Sequence, residues 1–426
     1  MKNLNKIFLL LLSAIMTISS CKKDDSGNPE IEAVNQGIYD LMKEVYLWND
    51  HLPASIDPSA YATPNDLMDA LRYDLYDRWS TVLTKTEYNQ YFVQGEMIGH
   101  GFKLGLDAGS KIRIAFVYRN TQAYNLGVRR GWIITKINGT VATPSNAYNL
   151  LGPAESGRIN LITFIKNDGT TAELSLTKSV IAITPVLHYE VINQGNSRIG
   201  YMVFQDFIDT AKVELDEAFN SFAAAGINEM IVDLRYNGGG SVGVAEYLAA
   251  WLIGKNHGNQ PFVNFRHNVN LASMDTTLNL PANANGLVLD RIFFIATRNT
   301  ASASELLING VKPYITSDVT AGDTTHGKPV GMYAFPFTYY DYVVLPVSFK
   351  YNNANDEGDF YQGIAPNLQA LDDLTRDFGD PQEESLKAIL DYINTGSVQL
   401  KSTRQGIEKT RIIGPDKGIR QYQKAY

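Results

Sequence analysis

Arg291-Ile292-Phe293-Phe294-Ile295-Ala296-Thr297, followed after three polar residues by Ala301-Ser302-Ala303-Ser304-Glu305, is the stretch on which the reading of this chain turns. The first run is apolar, β-branched and aromatic after its arginine, and it predicts a buried strand. Glu305-Leu306-Leu307-Ile308 reads as the first turn of a helix that stops near Pro313. Ser302 therefore stands where a strand hands over to a helix. The first N–H groups of a helix lack partners within it, and its dipole is positive there. A serine oxygen at that point can act as a nucleophile, and the adjacent N–H of Ala303 can face a developing oxyanion. The same serines can also serve simply as helix caps.

A second glycine-rich loop shifts the balance toward chemistry. Ile227 to Arg235 (INEMIVDLR) is another strand-like run, followed by Tyr236-Asn237-Gly238-Gly239-Gly240-Ser241. Val244, Tyr247, Leu248, Trp251 and Leu252 then repeat at helical spacing. Glycines in such a loop let the backbone approach a ligand and turn its N–H groups inward, so Gly238 and Gly239 are candidate oxyanion donors. Gly238, Gly240 and Gly243 also fit a dinucleotide fingerprint, but there is no Asp or Glu between Glu246 and Asp275 to bind a ribose.

A serine nucleophile needs a base. His51, His100 and His188 lie outside these loops, and His257 and His267 lie in a polar connection. His326 is nearer, two residues before Lys328 in Thr324-Thr325-His326-Gly327-Lys328-Pro329-Val330. Lysine can accept a proton if burial lowers its pKa from about 10.4 toward about 7–8, and this segment has few charges to prevent burial. Lys328 is the preferred base and His326 the other candidate.

These residues resemble the carboxyl-terminal processing peptidases, or tail-specific proteases. The resemblance rests on the strand–DLRYNGGG–helix segment, the strand–SASE–helix segment and the later Gly327-Lys328 loop. Tyr361 to Asn367 (YQGIAPN) looks like the family's G-I-x-P-[DN] turn, and Asp380 to Ile393 like its closing helix. The resemblance implies a crotonase-like αβ protease core, a Ser302/Lys328 dyad, and substrates recognised by their free C-termini. One departure stands out: many members carry a glutamine four residues after the lysine, and here that position is Met332. Main chain, Ser304 or Glu305 would then have to orient Lys328.

Upstream, Gly99-His100-Gly101-Phe102 resembles the carboxylate-binding loop of PDZ domains. The strand continuing through Leu104 to Leu106 would pair with a peptide, and Ser145 to Leu151 would form the groove helix. Gly127 to Gly139 (GVRRGWIITKING) matches a family motif, with Trp132 replacing an aspartate. Ile31 to Trp48 reads as an amphipathic helix, Thr63-Pro64-Asn65-Asp66 as a helix start, and Asp77 to Leu83 (DRWSTVL) as the family's D-x-x-S-x-x-L link. Gly254 to Asp290 reads as irregular, Tyr339 to Tyr361 as two strands joined by Asn352 to Gly358, and Thr395 onward as an extended tail.

Lys2 and Lys6, the apolar run Ile7 to Ile18 and the small residues after it read as a secretion signal. Ile18-Ser19-Ser20-Cys21 looks like a lipobox, so Cys21 is expected to carry lipid and anchor the chain outside the cytoplasm, at the outer membrane on its periplasmic or cell-surface face. Lys23-Asp24-Asp25 resembles a surface-export signal of Bacteroidetes lipoproteins. Composition agrees with a large soluble protein that can bury two or three cores: 426 residues, 44% hydrophobic, net charge −8, with one cysteine, which excludes intrachain disulfides and cysteine-based zinc sites. No basic patch points to nucleic acid, and neither metal nor cofactor is expected.

The expected organisation is a signal (1–20), a tether (21–30), a helical segment (31–95), a PDZ-like domain (96–180), a Ser/Lys protease core (181–395) and a tail (396–426). The expected function is a serine endopeptidase acting on peptides or proteins with free C-termini. The alternatives are a non-catalytic peptide-binding lipoprotein using the same groove, and a fold relative that binds or hydrolyses a small apolar ligand.

Overall fold

The computed structural model describes residues 28–315, 318–397 and 411–413. The expected signal and Cys21 lie outside the described residues. The chain divides into two compact units: one comprises the chain up to Val82, Phe265–Thr276 and Met332–Lys350; the other comprises Leu83–Asn264, Thr277–Gly331 and the chain from Tyr351 onward.

In the first unit, helix α1 spans Pro29–Val45. Pro29 suits the first helical position, and the Asn28 side chain accepts from Glu30 N–H. Val34, Ile38, Leu41, Met42 and Val45 are buried, as their spacing predicts. The helix ends before Trp48 because Tyr46 is extended and the next N–H, of Leu47, leaves the helix for the Val347 carbonyl. Helix α2 (Pro64–Leu71) starts in a capping box between Thr63 and Asp66. The D-x-x-S link also has a physical cause. The Asp77 carboxylate accepts from the N–H groups of Trp79 and Ser80 and from the Tyr46 hydroxyl, while Ser80 Oγ accepts from Val347 N–H.

Two larger sheets lie in the second unit. The first is antiparallel and built from β1 (Phe102–Leu106), β2 (Ile112–Val117), β3 (Ile133–Ile137), the short helix α3 (Ala147–Leu151), β4 (Ile159–Ile165) and β5 (Thr171–Thr177). Leu104, Ile114, Ile134, Ile162 and Phe164 form its core, and Trp132 packs edge-on against Phe164. The aspartate-to-tryptophan departure therefore adds a core side chain. Only glycine fits at position 101: φ is +86° and a Cβ would lie 2.6 Å from the Thr121 side chain. A two-stranded ladder of Glu96–Gly99 with Ser179–Ala182 leads into and out of this domain.

The second sheet runs β6 (Val186–Gln194), β7 (Ser197–Phe204), β8 (Glu229–Asp233), β9 (Arg291–Ala296), β10 (Asp318–Gly322) and β11 (Leu368–Gln369), in that spatial order. The β6–β7 pair is antiparallel and every later pair is parallel. Parallel neighbours require crossovers, which α4 (Ala211–Ala225), α5 (Val242–His257) and α6 (Ala303–Val311) supply for the first three parallel pairs, while β10 reaches β11 through a segment of short strands. Strands β8 and β9 are buried almost throughout, so they read as apolar runs. Helix α7 (Glu384–Thr395) closes the unit, with Glu383 as its cap.

Several expectations are corrected. Residues 254–290 are irregular only in part: α5 continues to His257 and strands follow at Pro261–His267 and Thr276–Asn279, while 280–290 carry no helix or strand. The strand pair expected across Tyr339–Tyr361 is Tyr342–Leu345 and Val347–Asn353, parted at Pro346 rather than at the Asn-rich run. The expected tail contains a strand, β12 (Arg411–Ile413), paired antiparallel to β1. Among the described residues no helix is long and apolar enough to cross a membrane.

His100 gives this fold a pH dependence. Burial pushes its imidazole down to about 4, although a hydrogen bond to Asn160 partly opposes the push. A depressed histidine contributes stability that is present above the unfolded value, near 6.5, and lost as pH falls toward the folded value. Between pH 7.5 and pH 5 the loss should be about 2 kcal/mol. Urea titrations of wild type and His100→Gln at both pH values check this: the wild-type loss should exceed the variant's by that amount, and equal losses would refute the assignment.

Candidate active site

Three loops meet because three parallel strands end side by side. Asp233 of β8 is level with Ile295 of β9, and Ala296 of β9 is level with Gly322 of β10. The loops leaving their carboxyl ends are Leu234–Ser241, Thr297–Ser302 and 323–329. Crevices at the carboxyl ends of parallel strands are where α/β proteins place their sites.

Ser302 is half-buried, whereas every other residue from Asn299 to Val311 is buried. Its backbone has φ 55° and ψ −115°, a region that non-glycine residues rarely adopt and that costs about 1–3 kcal/mol. The serine is therefore held out of the helix on a strained turn. Ala303, at the first helical position, has an N–H with no partner inside the helix.

The strain is held by Glu305, which is fully buried. Its Oε2 accepts from Ser302 N–H (2.9 Å) and from Lys328 N–H (2.8 Å); its Oε1 accepts from Gly327 N–H (2.7 Å) and from the Thr325 hydroxyl (2.5 Å). Two bonds to one oxygen keep the main-chain nitrogens of Ser302 and Lys328 within about 6 Å of each other. Burial pushes the carboxyl above the usual carboxylate range, and the hydrogen bonds from Thr325, Lys328, Gly327 and Ser302 offset part of that push. Three of the four donors are main-chain N–H groups, which can only donate, so both oxygens serve as acceptors. The Tyr351 hydroxyl adds a second tie, lying 3.0 Å from the Lys328 carbonyl and 3.2 Å from the Ser302 carbonyl.

Lys328 is buried, only 4% exposed. Its loop is braced by the YQGIAPN turn, where the Thr325 and Ile364 main chains bond to each other and Thr325 Oγ1 accepts from Ile364 N–H. Glycine is required at 327 and 363, because each has positive φ and a Cβ would come within about 2.5 Å of the facing carbonyl. His326 N–H donates to the Thr300 carbonyl.

The glycine loop lies directly on the serine. A Cβ on Gly239, whose φ is +101°, would sit 2.7 Å from Ser302 Cβ and 2.9 Å from Ala303 N. Gly239 is nevertheless corrected as an oxyanion donor: its N–H is taken by Asn237 Oδ1 at 2.9 Å. Asn237 also donates to the Phe204 carbonyl, and its own carbonyl accepts from Ala301 N–H and the Ser304 hydroxyl. Ala303 and Gly238 remain as candidate donors.

Behind this loop lies a buried ion cluster. The Arg235 guanidinium bonds to Asp233 (2.6 Å), Glu383 (2.7 Å) and Asp372 (3.1 Å). Arg130, from the first sheet's domain, bonds to Asp372 (2.8 Å) and to the Tyr236 hydroxyl (2.7 Å). Burial alone would raise the Asp372 carboxyl; Arg130 and Arg235 hold it below the usual range. Tyr236 immediately precedes the Asn237–Gly240 turn and itself has φ 67°.

The sequence reading missed Asn237, Thr325, Tyr351 and Arg130. Asn237 and Arg130 lie inside motifs that had been matched without separate roles. Tyr351 carries no local signal, because it sits in a strand where a tyrosine is ordinary. Of the expected peptide-binding residues, Gly99, His100 and Gly101 lead into β1, and Phe102 and Leu104 lie within it. His100 is buried and hydrogen-bonded to Asn160, while Leu104 pairs with Ile413. Among the described residues no His/Cys/Asp/Glu group could hold a metal ion.

Comparison with known proteins agrees with this architecture. Residues 33–81 match the Peptidase S41 N-terminal domain and residues 198–370 match Peptidase family S41, together about half of the chain. The chain belongs to peptidase family S41. It is 23% identical over 301 residues to the carboxy-terminal processing protease CtpB of Bacillus subtilis, covering 69% of this chain and 60% of that one. It is 23% identical over 252 residues to the chloroplast C-terminal processing peptidase of Tetradesmus obliquus, covering 55% of this chain. The chain spans about half the length of that relative, 52%. A crystal structure described as an S41 protease from Bacteroides fragilis superposes with a TM-score of 0.70 at 21% identity, covering 89% of this chain and all of the other. The fold is thus the mixed α/β fold of S41 proteases.

Glu305→Gln tests the central tie. An amide replaces one acceptor oxygen with a donor that faces N–H groups, so the change should cost about 2–4 kcal/mol. Urea unfolding followed by fluorescence reads the cost, and a loss below about 0.5 kcal/mol would refute the role given to Glu305.

Proposed function

We propose that this chain is a serine endopeptidase of the tail-specific kind, using Ser302 as nucleophile and Lys328 as general base. The observation that carries the reading is the single buried carboxylate, Glu305, holding both residues' main chains. It fixes a strained, half-exposed serine and a buried lysine in one frame. In the proposed reaction Ser302 Oγ attacks the scissile carbonyl carbon and passes its proton to Lys328 Nζ. The oxyanion is met by the N–H groups of Ala303 and Gly238. The C–N bond then breaks, and Lys328 returns the proton to the leaving amine. Water, giving a proton to the same lysine, then attacks the acyl carbon; the ester C–Oγ bond breaks, the carboxylic acid product leaves, and Lys328 returns the proton to Ser302 Oγ.

The proposed substrates are peptides or unfolded proteins presenting a free C-terminus to the domain of residues 96–180, read as PDZ-like. Its support is the glycine-gated turn before β1 and the helix α3, whose Ala147 and Leu151 share a core with Leu104 of that strand.

Incubation with an unfolded protein tests the mechanism. Ser302→Ala and Lys328→Ala should each lower kcat/KM by about 10³-fold or more, and the double change should cost little beyond either, because the two act as one unit. Lys328→Arg should fail as well, since arginine stays protonated. His326→Ala should stay within about tenfold of wild type, and activity should rise with pH as the amine loses its proton. If His326→Ala abolishes cleavage and Lys328→Ala spares it, histidine is the base. If wild type binds peptides but never cleaves them, the non-catalytic reading replaces this one.

The proposed location is a lipid anchor at Cys21, outside the cytoplasm. Two or more acyl chains hold a protein stably where a single chain does not. Cys21→Ser should move the chain to the soluble fraction or leave its signal uncleaved; an unchanged membrane fraction with a processed signal would refute the anchor.

A further inference from the structure

Strand β12 lies in the place expected for a peptide ligand. It pairs antiparallel to β1 with Arg411 opposite Leu106, Ile412 opposite Gly105 and Ile413 opposite Leu104. On the far side of the cleft, the Tyr148 hydroxyl of α3 donates to the Ile413 carbonyl at 2.7 Å. Ile413 packs against the domain core that contains Leu104, Ala147 and Leu151, while Ile412 is buried in the cluster that contains Phe116 and Tyr236. The two isoleucines thus point to opposite faces, as successive strand residues must. Without β12, β1 would be the open edge of the sheet beside an apolar cleft, the geometry that captures extended peptides. The chain continues beyond Ile413, so this occupant enters by its main chain and apolar side chains, not by a terminal carboxylate.

We propose that Arg411–Ile413 is a built-in occupant of this groove, which an incoming extended peptide must displace. The inference rests on reading residues 96–180 as a peptide-binding domain. The direction of β12 supports it: running antiparallel to β1, the segment heads from Leu106 toward the Gly99–Phe102 turn, as a ligand seeking that turn with its C-terminus would. The occupant also indicates what the groove accepts, namely an extended segment with a β-branched apolar residue opposite Leu104. Because the segment is part of the same chain, its effective concentration is of millimolar order, so it competes even if its intrinsic affinity is weak. For an intrinsic Kd of about 0.1 mM, a ligand in trans would bind roughly tenfold more weakly than to an empty groove.

The test uses full chains carrying Ser302→Ala, so that binding is read without cleavage and the result stands whether or not the peptidase reading holds. The probe is a fluorescent peptide of residues 408–416 (EKTRIIGPD). Its Kd should be about tenfold lower for chains that also carry Ile413→Asp, or that end at Gly396, than for the unaltered tail. A probe with aspartate at the Ile413 position should bind none of them. In parallel, amide exchange at Leu104–Leu106 should be slow with the native tail and should quicken in both tail variants. Equal probe affinity across the three chains, or equal exchange at Leu104–Leu106, would overturn the proposal.

Discussion

The buried carboxylate of Glu305 is the constraint from which the rest of the site follows. A charge-bearing group taken fully out of water is costly unless its lone pairs are met, and here four donors meet them. Those donors come from two loops that leave different strands, so neither loop can move without leaving the carboxylate unsatisfied. The strained backbone of Ser302 is one beneficiary. Its N–H is pinned to Glu305, and its carbonyl accepts from Leu306 N–H, so relaxing the turn would break both bonds. The main chain at Lys328 is held in the same way: its nitrogen is fixed by Glu305, and its carbonyl lies within hydrogen-bonding reach of Tyr351.

A second buried network carries the constraint outward. Arg235 gathers carboxylates from β8, from the segment after β11 and from the cap of α7, and Arg130 brings the first sheet's domain to the same Asp372. Two guanidinium groups share a cavity with three acidic side chains and the Tyr236 hydroxyl. Such a cluster adds little stability against an apolar replacement, but losing one member leaves unpaired charge. Its worth is geometric: Tyr236, gripped between Arg130 and Asp372, fixes the residue before the Asn237–Gly240 turn. The placement of the glycine loop is thus set by side chains from three sequence-distant segments.

Much of the fold was legible because its signals are local. The apolar runs of β8 and β9, the glycine turns and the Thr63 capping box follow from short-range rules, and the order of loops around Ser302 follows from parallel strands in sequence. What was not legible depends on distant partners. Residues 254–290 look irregular because Pro261–His267 and Thr276–Asn279 are short strands with polar residues, whose pairing no local pattern announces. Helix α1 stops at Val45 only because Val347, some three hundred residues away, claims the next N–H. The role of Gly239 was misread for a related reason. An asparagine two residues earlier bends back to take its N–H, and nothing in the run NGGG tells which glycine amide stays free.

Asn237 also shows why the serine loop and the glycine loop behave as one piece. Its side chain closes the turn by holding Gly239 N–H and reaching the Phe204 carbonyl, while its main-chain carbonyl holds Ala301 N–H and the Ser304 hydroxyl. Ala301 and Ser304 bracket Ser302. Shifting the glycine loop would therefore pull on the residues either side of Ser302, and shifting Ser302 would drive its Cβ toward Gly239, where even a methyl group cannot fit. Glu305 ties the serine to the lysine loop, and Asn237 ties it to the glycine loop. Because these ties run mainly through main-chain groups of the neighbouring loops, the Ala303 N–H need not be spent on holding the turn together. Buried neighbours on both sides of Ser302 thus carry the structural load of this turn.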